Sequence, residues 1–249
     1  MYRFFVKPES VGEETIVISG KDVNHIKNVL RMKRGEEILV SDGVNRDYHC
    51  RIVAVDDSAV EAEIIDVDGA KTELPAKIFL FQGLPKSDKM EWIIQKAVEL
   101  GVFEIFPVST KRTIVKLDKK KEETKLKRWN MISESAAKQS KRIIIPKVNS
   151  VISFSRAVKE AADFDVLLIP YENAFNMAET KKEIEKIRPG QKVGVFIGPE
   201  GGFCQSEIDL AMEAGVKPVT LGKRILRTET AGMMMLSVMM FHLEDYIEE

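Results

Sequence analysis

The chain has 249 residues, of which 44% are hydrophobic and 31% charged, as in a soluble globular protein that buries a core. It has no apolar run long enough to span a bilayer and no signal-peptide pattern, which excludes a membrane-spanning protein. Its two cysteines exclude a disulfide framework, so we expect a reducing, cytoplasmic setting.

The positive charge is concentrated in one stretch. Residues 111–147 contain 13 lysines and arginines against 4 acidic residues, although the formal net charge of the whole chain is −1. Such a block can attract a polyanion over a long range, which favours RNA or DNA as a partner. A solvated, lysine-rich helix face is the alternative.

The first part of the chain consists mainly of strands. RFFV, TIVI, EEILVSDG and YHCRIVAV are short β-rich runs, and Asp42-Gly43 predicts a hairpin turn. A helix is predicted from about Lys21 to Arg31. We expect a small barrel-like domain over residues 1–70, followed by a polar linker within residues 66–75.

The second part, residues 71–249, alternates strands with helices. This alternation predicts an α/β domain with a mainly parallel sheet and helices on both faces. The predicted strands cover residues 77–82, 103–108, 165–170, 192–198 and 216–222. The predicted helices run from a cap at Ser87 to Gly101, over 121–140, 179–188 and 206–214, and from about Thr228 onward.

Several common motifs are absent. No two glycines are spaced G-x-G, and there is no phosphate-binding loop, which argues against a nucleotide-dependent enzyme. His49 and Cys50 are adjacent, so on a strand they point to opposite faces. We expect no metal site.

One unusual segment is FIGPEGGF, residues 196–203. An apolar strand leads directly into Gly198-Pro199-Glu200-Gly201-Gly202, and Ser206 with Asp209 predicts a capping box on the next helix. Glycines at the carboxyl end of a buried strand allow a ligand to contact the backbone. A tight turn without a ligand is the alternative.

A second segment is LGKRILRTETAG, residues 221–232, where a strand again ends in glycine. Three cations lie between Lys223 and Arg227, so this loop could close over a cofactor and direct Arg227 into a cleft. Surface basicity is the alternative. The methionines that follow, from Met233 to Met240, are typical of a core or a subunit interface.

Together, IGPEGGF and LGKRILRTETA resemble the signature pair of the SPOUT methyltransferases, and in particular of the bacterial 16S rRNA (uracil-N3)-methyltransferase family. The segments RFFV, HIKNVLRMKRGEEILVSDG (25–43), KSDKMEWIIQKAVELGV (86–102) and RWNMISESAAKQSKR (128–142) are similar to that family as well. The resemblance therefore covers nearly the whole chain.

The resemblance implies a PUA-like RNA-binding barrel followed by a SPOUT domain with a deep trefoil knot, a homodimer, and S-adenosylmethionine bound in the knot. Carried over residue by residue, the implied cofactor contacts are Ile169, Ile197, Gly198, Pro199, Glu200, Gly201, Gly202, Leu221, Gly222, Ile225, Leu226, Arg227, Thr230 and Ala231. The substrate implied is N3 of a uridine in 16S ribosomal RNA.

Methylation at N3 requires loss of the imide proton, and negative charge then develops on the base. Arg227 is the candidate cation for this charge, and Glu229 or Glu172 is the candidate proton acceptor. Glu229 could instead only compensate a helix dipole. Because N3 lies on the pairing edge, the target base must be unpaired or extruded.

For contacts to RNA phosphates we select basic residues from both parts of the chain. They are Arg3, Arg31, Arg34, Lys86, Arg112, Lys138 and Arg142. Two other functions stay open: a SPOUT methyltransferase that acts on another RNA, and a non-catalytic RNA-binding assembly protein. Whether the substrate is naked RNA or an assembled ribosomal subunit stays open too.

Overall fold

The computed structural model describes residues 1–68, 72–115, 117–174 and 176–247. The chain folds into two compact units. The first comprises residues 1–73 together with 137–145, and the second comprises residues 74–136 and 146–249. The predicted domain boundary falls at residues 70 and 71, which lie outside the described residues, as does part of the predicted linker.

The first unit is built on a curled five-stranded sheet in the order β1-β3-β4-β5-β2. β1 and β3 are parallel, and the other neighbours are antiparallel. The strands are β1 (Arg3–Phe5), β2 (Thr15–Ser19), β3 (Glu37–Ser41), β4 (Asp47–Val55) and β5 (Ala59–Asp68). The four predicted strands are confirmed.

The fifth strand, β5, was not predicted. Val60 and Ala62 are fully buried, whereas Glu61 and Glu63 point outward, which is the alternation of a half-buried strand. Because β5 continues to Asp68, the predicted start of the linker at residue 66 is wrong.

The predicted turn at Asp42-Gly43 is confirmed. Asp42 Oδ1 accepts hydrogen bonds from the backbone N–H groups of Val44, Asn45 and Arg46 at 2.9, 3.0 and 3.1 Å. This side chain replaces the missing backbone partners of the turn. It thereby sets the register in which β3 pairs with β4.

The predicted helix near residue 21 is present but changes its winding. α1 (Lys21–Asn24) continues into a wider π-helical turn, His25–Val29, in which the Leu30 N–H donates to the His25 carbonyl at 2.9 Å. Arg31, with φ +54°, ends the segment. Val23 and Ile26 pack into the core of the first unit.

The second unit contains a sheet in the order β12-β10-β11-β6-β7-β8, with β9 beside β7, and every pairing is parallel. The strands are β6 (Lys77–Gly83), β7 (Glu104–Ser109), β8 (Lys147–Val148), β9 (Ile152–Ser153), β10 (Val166–Pro170), β11 (Lys192–Ile197) and β12 (Lys217–Val219). The predicted parallel α/β sheet is confirmed.

Six helices accompany this sheet in the described part of the chain. They are α2 (Lys89–Glu99), α3 (Lys119–Gln139), α4 (Phe154–Glu160), α5 (Met177–Glu185), α6 (Gln205–Glu213) and α7 (Thr228–Glu244). Five were predicted and α4 was not. Its signal is local: the Ser153 hydroxyl caps the helix by accepting from the Arg156 N–H at 3.3 Å.

Two predicted caps are wrong. Ser87 has φ +58° and precedes Asp88, which occupies the cap position of α2 without a side-chain cap bond. On α6 the capping box is formed by Cys204 and Glu207, and the Cys204 N–H donates to Glu207 Oε2 at 3.0 Å. The box therefore lies two residues before the predicted pair.

Aromatic rings fill the sheet core of the second unit. Phe81 on β6 and Phe196 on β11 are almost fully buried and stack with centroids 4.6 Å apart. Met235 and Met239 of α7 are buried too, which confirms the core role predicted for part of the methionine run. No helix among the described residues is both long and apolar enough to cross a membrane.

Two helix ends allow a matched test of steric crowding. α2 and α6 end in the same way: Val102 N–H donates to the Ala97 carbonyl and Val216 N–H to the Ala211 carbonyl, both at 3.0 Å. The intervening Gly101 and Gly215 have φ of +85° and +86°. A Cβ on Gly101 would lie 2.5 Å from Leu74 Cδ1, whereas one on Gly215 would meet nothing within 4 Å.

We predict that Gly215→Ala lowers the free energy of unfolding by about 1 kcal/mol, the cost of a left-handed non-glycine residue. Gly101→Ala should lower it by about 1–3 kcal/mol more, because Leu74 must move. Urea unfolding of both variants measures the difference. Equal losses would show that Leu74 is free to adapt.

Candidate active site

The carboxyl ends of four neighbouring strands define one edge of the second unit. β12, β10, β11 and β6 are adjacent and parallel, so the chain leaves all four at this edge. The glycine loop, residues 198–203, follows β11, and the basic loop, residues 221–227, lies between β12 and α7. Ligands of open α/β sheets bind at such an edge.

The glycine loop packs tightly against the end of β6. A Cβ on Gly83 would lie 2.6 Å from both the ring Cδ and the nitrogen of Pro199, and one on Gly198 would lie 3.0 Å from Gly202 Cα. The Gly202 N–H closes a turn by donating to the Pro199 carbonyl at 2.8 Å. Glycine is required at positions 83 and 198 because backbone segments pack directly against each other at both positions.

A hydrogen-bond chain ties the start of α7 to this loop. Gln82 Nε2 donates to Thr228 Oγ1 at 2.9 Å, and Thr228 Oγ1 donates to the Gly198 carbonyl at 2.6 Å. Gln82 is fully buried and Thr228 nearly so. Gln82 Oε1 is buried without a hydrogen-bond partner among the described residues.

A cation between two carboxylates lies at the same place. Lys89 Nζ, on the first residue of α2, is 3.1 Å from Glu200 Oε1 and 3.5 Å from Glu229 Oε2. The Lys86 backbone N–H also donates to Glu200 Oε1, at 3.1 Å. Glu229 Oε2 is buried and accepts no hydrogen bond within the described part of the chain.

These contacts shift two ionisation equilibria. The pKa of Lys89 is raised, chiefly by its hydrogen bond to Glu200 and further by the charge of Glu229. Burial alone would raise the pKa of Glu200, but backbone hydrogen bonds and Lys89 together lower it below its ordinary value. Both groups are therefore charged at neutral pH.

Sequence reasoning missed Gln82, Gly83 and Lys89. The available signal was the pair Gln82-Gly83 at the end of a predicted buried strand, since a polar residue and a glycine at that edge are typical of a site. Lys89 had no local signal. Its partners Glu200 and Glu229 are more than 100 residues away in the chain.

The residues predicted to bind a cofactor lie at or next to this edge, all within the second unit. Ile197 is the buried last residue of β11, and Ile169 is the buried residue before the last one of β10. The remaining candidates lie in the glycine loop, the basic loop and the first turn of α7: Gly198, Pro199, Glu200, Gly201, Gly202, Leu221, Gly222, Ile225, Leu226, Arg227, Thr230 and Ala231. The Ile225 side chain is 94% exposed.

The three candidate catalytic residues differ in their surroundings. Arg227 is exposed, directly precedes α7, and forms no ion pair with any described residue. Glu229, the second residue of α7, is largely buried beside Lys89. Glu172 is exposed in the turn that follows β10. The structure thus joins Glu229 to the glycine loop and leaves Glu172 separate from this charge cluster.

Three of the predicted RNA contacts are engaged in ion pairs inside the first unit. Arg3 pairs with Asp47, and Arg142, 3% exposed, places its Nε 3.1 Å from a Glu73 carboxylate oxygen. Lys138 contacts both carboxylate oxygens of Asp22 at 3.0 and 3.1 Å. Buried charges require such partners. The structure therefore places the charges of Arg3, Arg142 and Lys138 in ion pairs of the first unit. Their contact with RNA stays a prediction.

The other four predicted RNA contacts are exposed. Arg31 and Arg34 lie on the surface of the first unit, and Lys86 and Arg112 on the surface of the second. Arg112 also donates from Nη1 to the Gly201 carbonyl at 2.8 Å, which places a cation on the glycine loop. The described residues contain no group of three or more His, Cys, Asp or Glu side chains that could hold a metal ion.

Comparison with known protein families agrees with this geometry. Residues 72–240 match the model of an RNA methyltransferase domain, and residues 18–65 match the model of an RNA methyltransferase PUA domain. The two matches fall on the α/β sheet and on the curled sheet.

Curated relatives are similar over nearly their full length. The ribosomal RNA small subunit methyltransferase E of Bacillus subtilis is 35% identical over 250 residues, covering 98% of this chain and 98% of the relative. The protein of that name from Mesomycoplasma hyopneumoniae is 39% identical over 237 residues, covering 95% and 98%.

A solved structure shows the same fold. The crystal structure of a ribosomal RNA small subunit methyltransferase E from Neisseria gonorrhoeae, bound to S-adenosyl methionine, superimposes with a TM-score of 0.83. The two proteins are 34% identical, and the match covers 97% of each chain.

We predict that Thr228→Val lowers the free energy of unfolding by about 2 kcal/mol, because it removes the donor to Gly198 and the acceptor for Gln82 while preserving shape. Thr228→Ser keeps the hydroxyl and should lose less than about 1 kcal/mol. Urea unfolding compares them. If serine were as damaging as valine, the hydrogen-bond chain would not be the stabilising feature.

Proposed function

Because this chain belongs to the RNA methyltransferase family and carries that family's PUA domain, we propose that it transfers a methyl group from S-adenosylmethionine to N3 of a uridine in small-subunit ribosomal RNA. The observation that carries the proposal is the glycine loop at the carboxyl edge of the parallel sheet, bound to α7 through Thr228.

The residues at this edge fit S-adenosylmethionine. The cofactor carries a sulfonium and an ammonium cation and several N–H donors. The site offers the carboxylates of Glu200 and Glu229, and buried acceptors without donors on Gln82 and Glu229. The glycines of the glycine loop carry no side chains, so a ligand can contact the backbone there. The glycine and basic loops would hold the cofactor.

When bound, the cofactor supplies a methyl group already activated by its positive sulfur. The chain's own residues then have two tasks. Arg227, an exposed cation in front of α7, stabilises negative charge on the uracil oxygens. A carboxylate takes the imide proton. Glu229 is supported by its place in the site, and Glu172 is the second candidate.

RNA binding is supported by exposed cations in both units. Arg31 and Arg34 belong to the unit that carries the PUA match, and Lys86 and Arg112 flank the glycine loop. The basic helix α3 adds further lysines. Such contacts fix the position of RNA without reading its sequence. A ribosomal RNA substrate supports a cytoplasmic location, which is part of the proposal.

We also propose a trefoil knot at this edge. β12 is separated from β11 by β10, and from β6 by β10 and β11. Even so, Thr228, nine residues after β12 ends, bonds to Gln82 and to Gly198. The chain thus returns across two strands before α7 begins. A homodimer is supported by the exposed side chains of Phe241 and Val238 on α7, which a second copy would cover.

The decisive experiment is methyl transfer from labelled S-adenosylmethionine to RNA taken from a bacterium that lacks the endogenous enzyme. Naked 16S rRNA and assembled small subunits are compared. A methyl at N3 blocks base pairing, so we expect one reverse-transcription stop in 16S rRNA. Labelling of transfer RNA alone would indicate another RNA substrate. Cofactor-independent RNA binding without labelling would indicate an assembly protein.

Arg227→Ala should lower kcat about 10²–10³-fold, as for loss of a group that stabilises transition-state charge, while the Kd for S-adenosylmethionine changes only a few-fold. Single-turnover kinetics and calorimetry measure the two quantities. Arg224→Ala, which removes an exposed cation from the same loop, is the control. A Kd that rises as much as kcat falls would make Arg227 a cofactor ligand.

A further inference from the structure

Lys89 contacts two segments of the candidate site, the glycine loop and the first turn of α7. Its ammonium is 3.1 Å from Glu200 in the glycine loop and 3.5 Å from Glu229 in the first turn of α7. Neither carboxylate contacts the other through a hydrogen bond, so within the described residues Lys89 is the link between them.

The position of Lys89 is unfavourable for its own helix. It is the first residue of α2, where the helix dipole opposes a positive charge. The two carboxylates account for the cation there, and they raise the pKa of Lys89, so it is charged at neutral pH.

Glu229 depends on this cation. Its Oε2 is buried and accepts no hydrogen bond from a described residue, and its side chain is only 14% exposed. An uncompensated carboxylate would move toward water. Glu200 has an additional anchor in the Lys86 N–H, so the loop end of the link is fixed and Glu229 is held against it.

We propose that Lys89 is a positioning residue that couples the glycine loop to the reacting-base side of the site through Glu200 and Glu229. This inference rests on the proposed function. Lys89 holds the Glu229 carboxylate in its orientation only while Glu200 and its loop are in place. A change in the position of the glycine loop thereby changes the position of Glu229, the candidate proton acceptor.

A double-mutant cycle tests the coupling. Glu200→Gln, Glu229→Gln and the double variant are made with Lys89 present and with Lys89→Met. For each protein we measure the Kd for S-adenosylmethionine by calorimetry, the single-turnover kcat, and the unfolding equilibrium constant in urea.

With Lys89 present, we expect Glu229→Gln to weaken cofactor binding and Glu200→Gln to slow turnover. The double variant should differ from the product of the single effects by about fivefold or more in both quantities. With Lys89→Met the effects should multiply independently, within about twofold. Lys89→Arg should restore the coupling.

Lys96→Met is the matched control. Lys96 lies on the same helix and forms an ion pair outside the site, with its Nζ 2.8 Å from Glu99 Oε2. The proposal is wrong if Lys89→Met behaves like Lys96→Met, or if the glutamate effects multiply independently while Lys89 is present. If the wild-type protein neither binds the cofactor nor methylates RNA, the proposed function fails. In that case the unfolding equilibrium constants of the same variants still decide whether Lys89 links the two carboxylates.

Discussion

The hydroxyl of Thr228 is the contact on which the second unit's functional edge depends. It accepts from Gln82 on β6 and donates to the carbonyl of Gly198 after β11, so one side chain holds two strands and the start of α7. Because these groups are buried, a lost bond leaves unpaired polar atoms in a region that water does not reach. The glycine loop can approach β6 so closely only because Gly83 has no side chain. The site is thus defined first by backbone packing, and its charges are placed on that frame.

The charges serve different ends in the two units. In the first unit, Arg3 and Arg142 are paired and buried, and they tie segments distant in sequence. In the second, Lys89 stands between two carboxylates at the site, and Arg227 remains exposed and unpaired with any described carboxylate. An exposed cation costs little in stability and stays available to a ligand. A buried cation that is already paired with a carboxylate of the same unit is not available to a ligand in this way.

Much of this architecture could be predicted from the sequence, because strand and helix periods and the loop glycines are local signals. The parallel sheet and both loops at its edge were identified in this way. β5 was missed because its end is as polar as a linker, and α4 because it spans only seven residues. The contacts of Gln82 and Lys89 join residues more than 100 positions apart, which no local pattern encodes. The same limit explains why Arg142 resembled a surface cation: its partner Glu73 is 69 residues away.

The first unit includes residues 137–145, and this has a consequence for biosynthesis. Ser41 Oγ donates to the Ile143 carbonyl at 2.5 Å, Ile143 is buried, and Arg142 neutralises Glu73. A nascent chain that has emerged only to residue 75 therefore lacks part of its amino-terminal core and exposes an uncompensated carboxylate. β6, β7 and most of α3 are translated before the missing segment leaves the ribosome. The amino-terminal unit is thus begun first and completed only after the first strands of its successor have been synthesised.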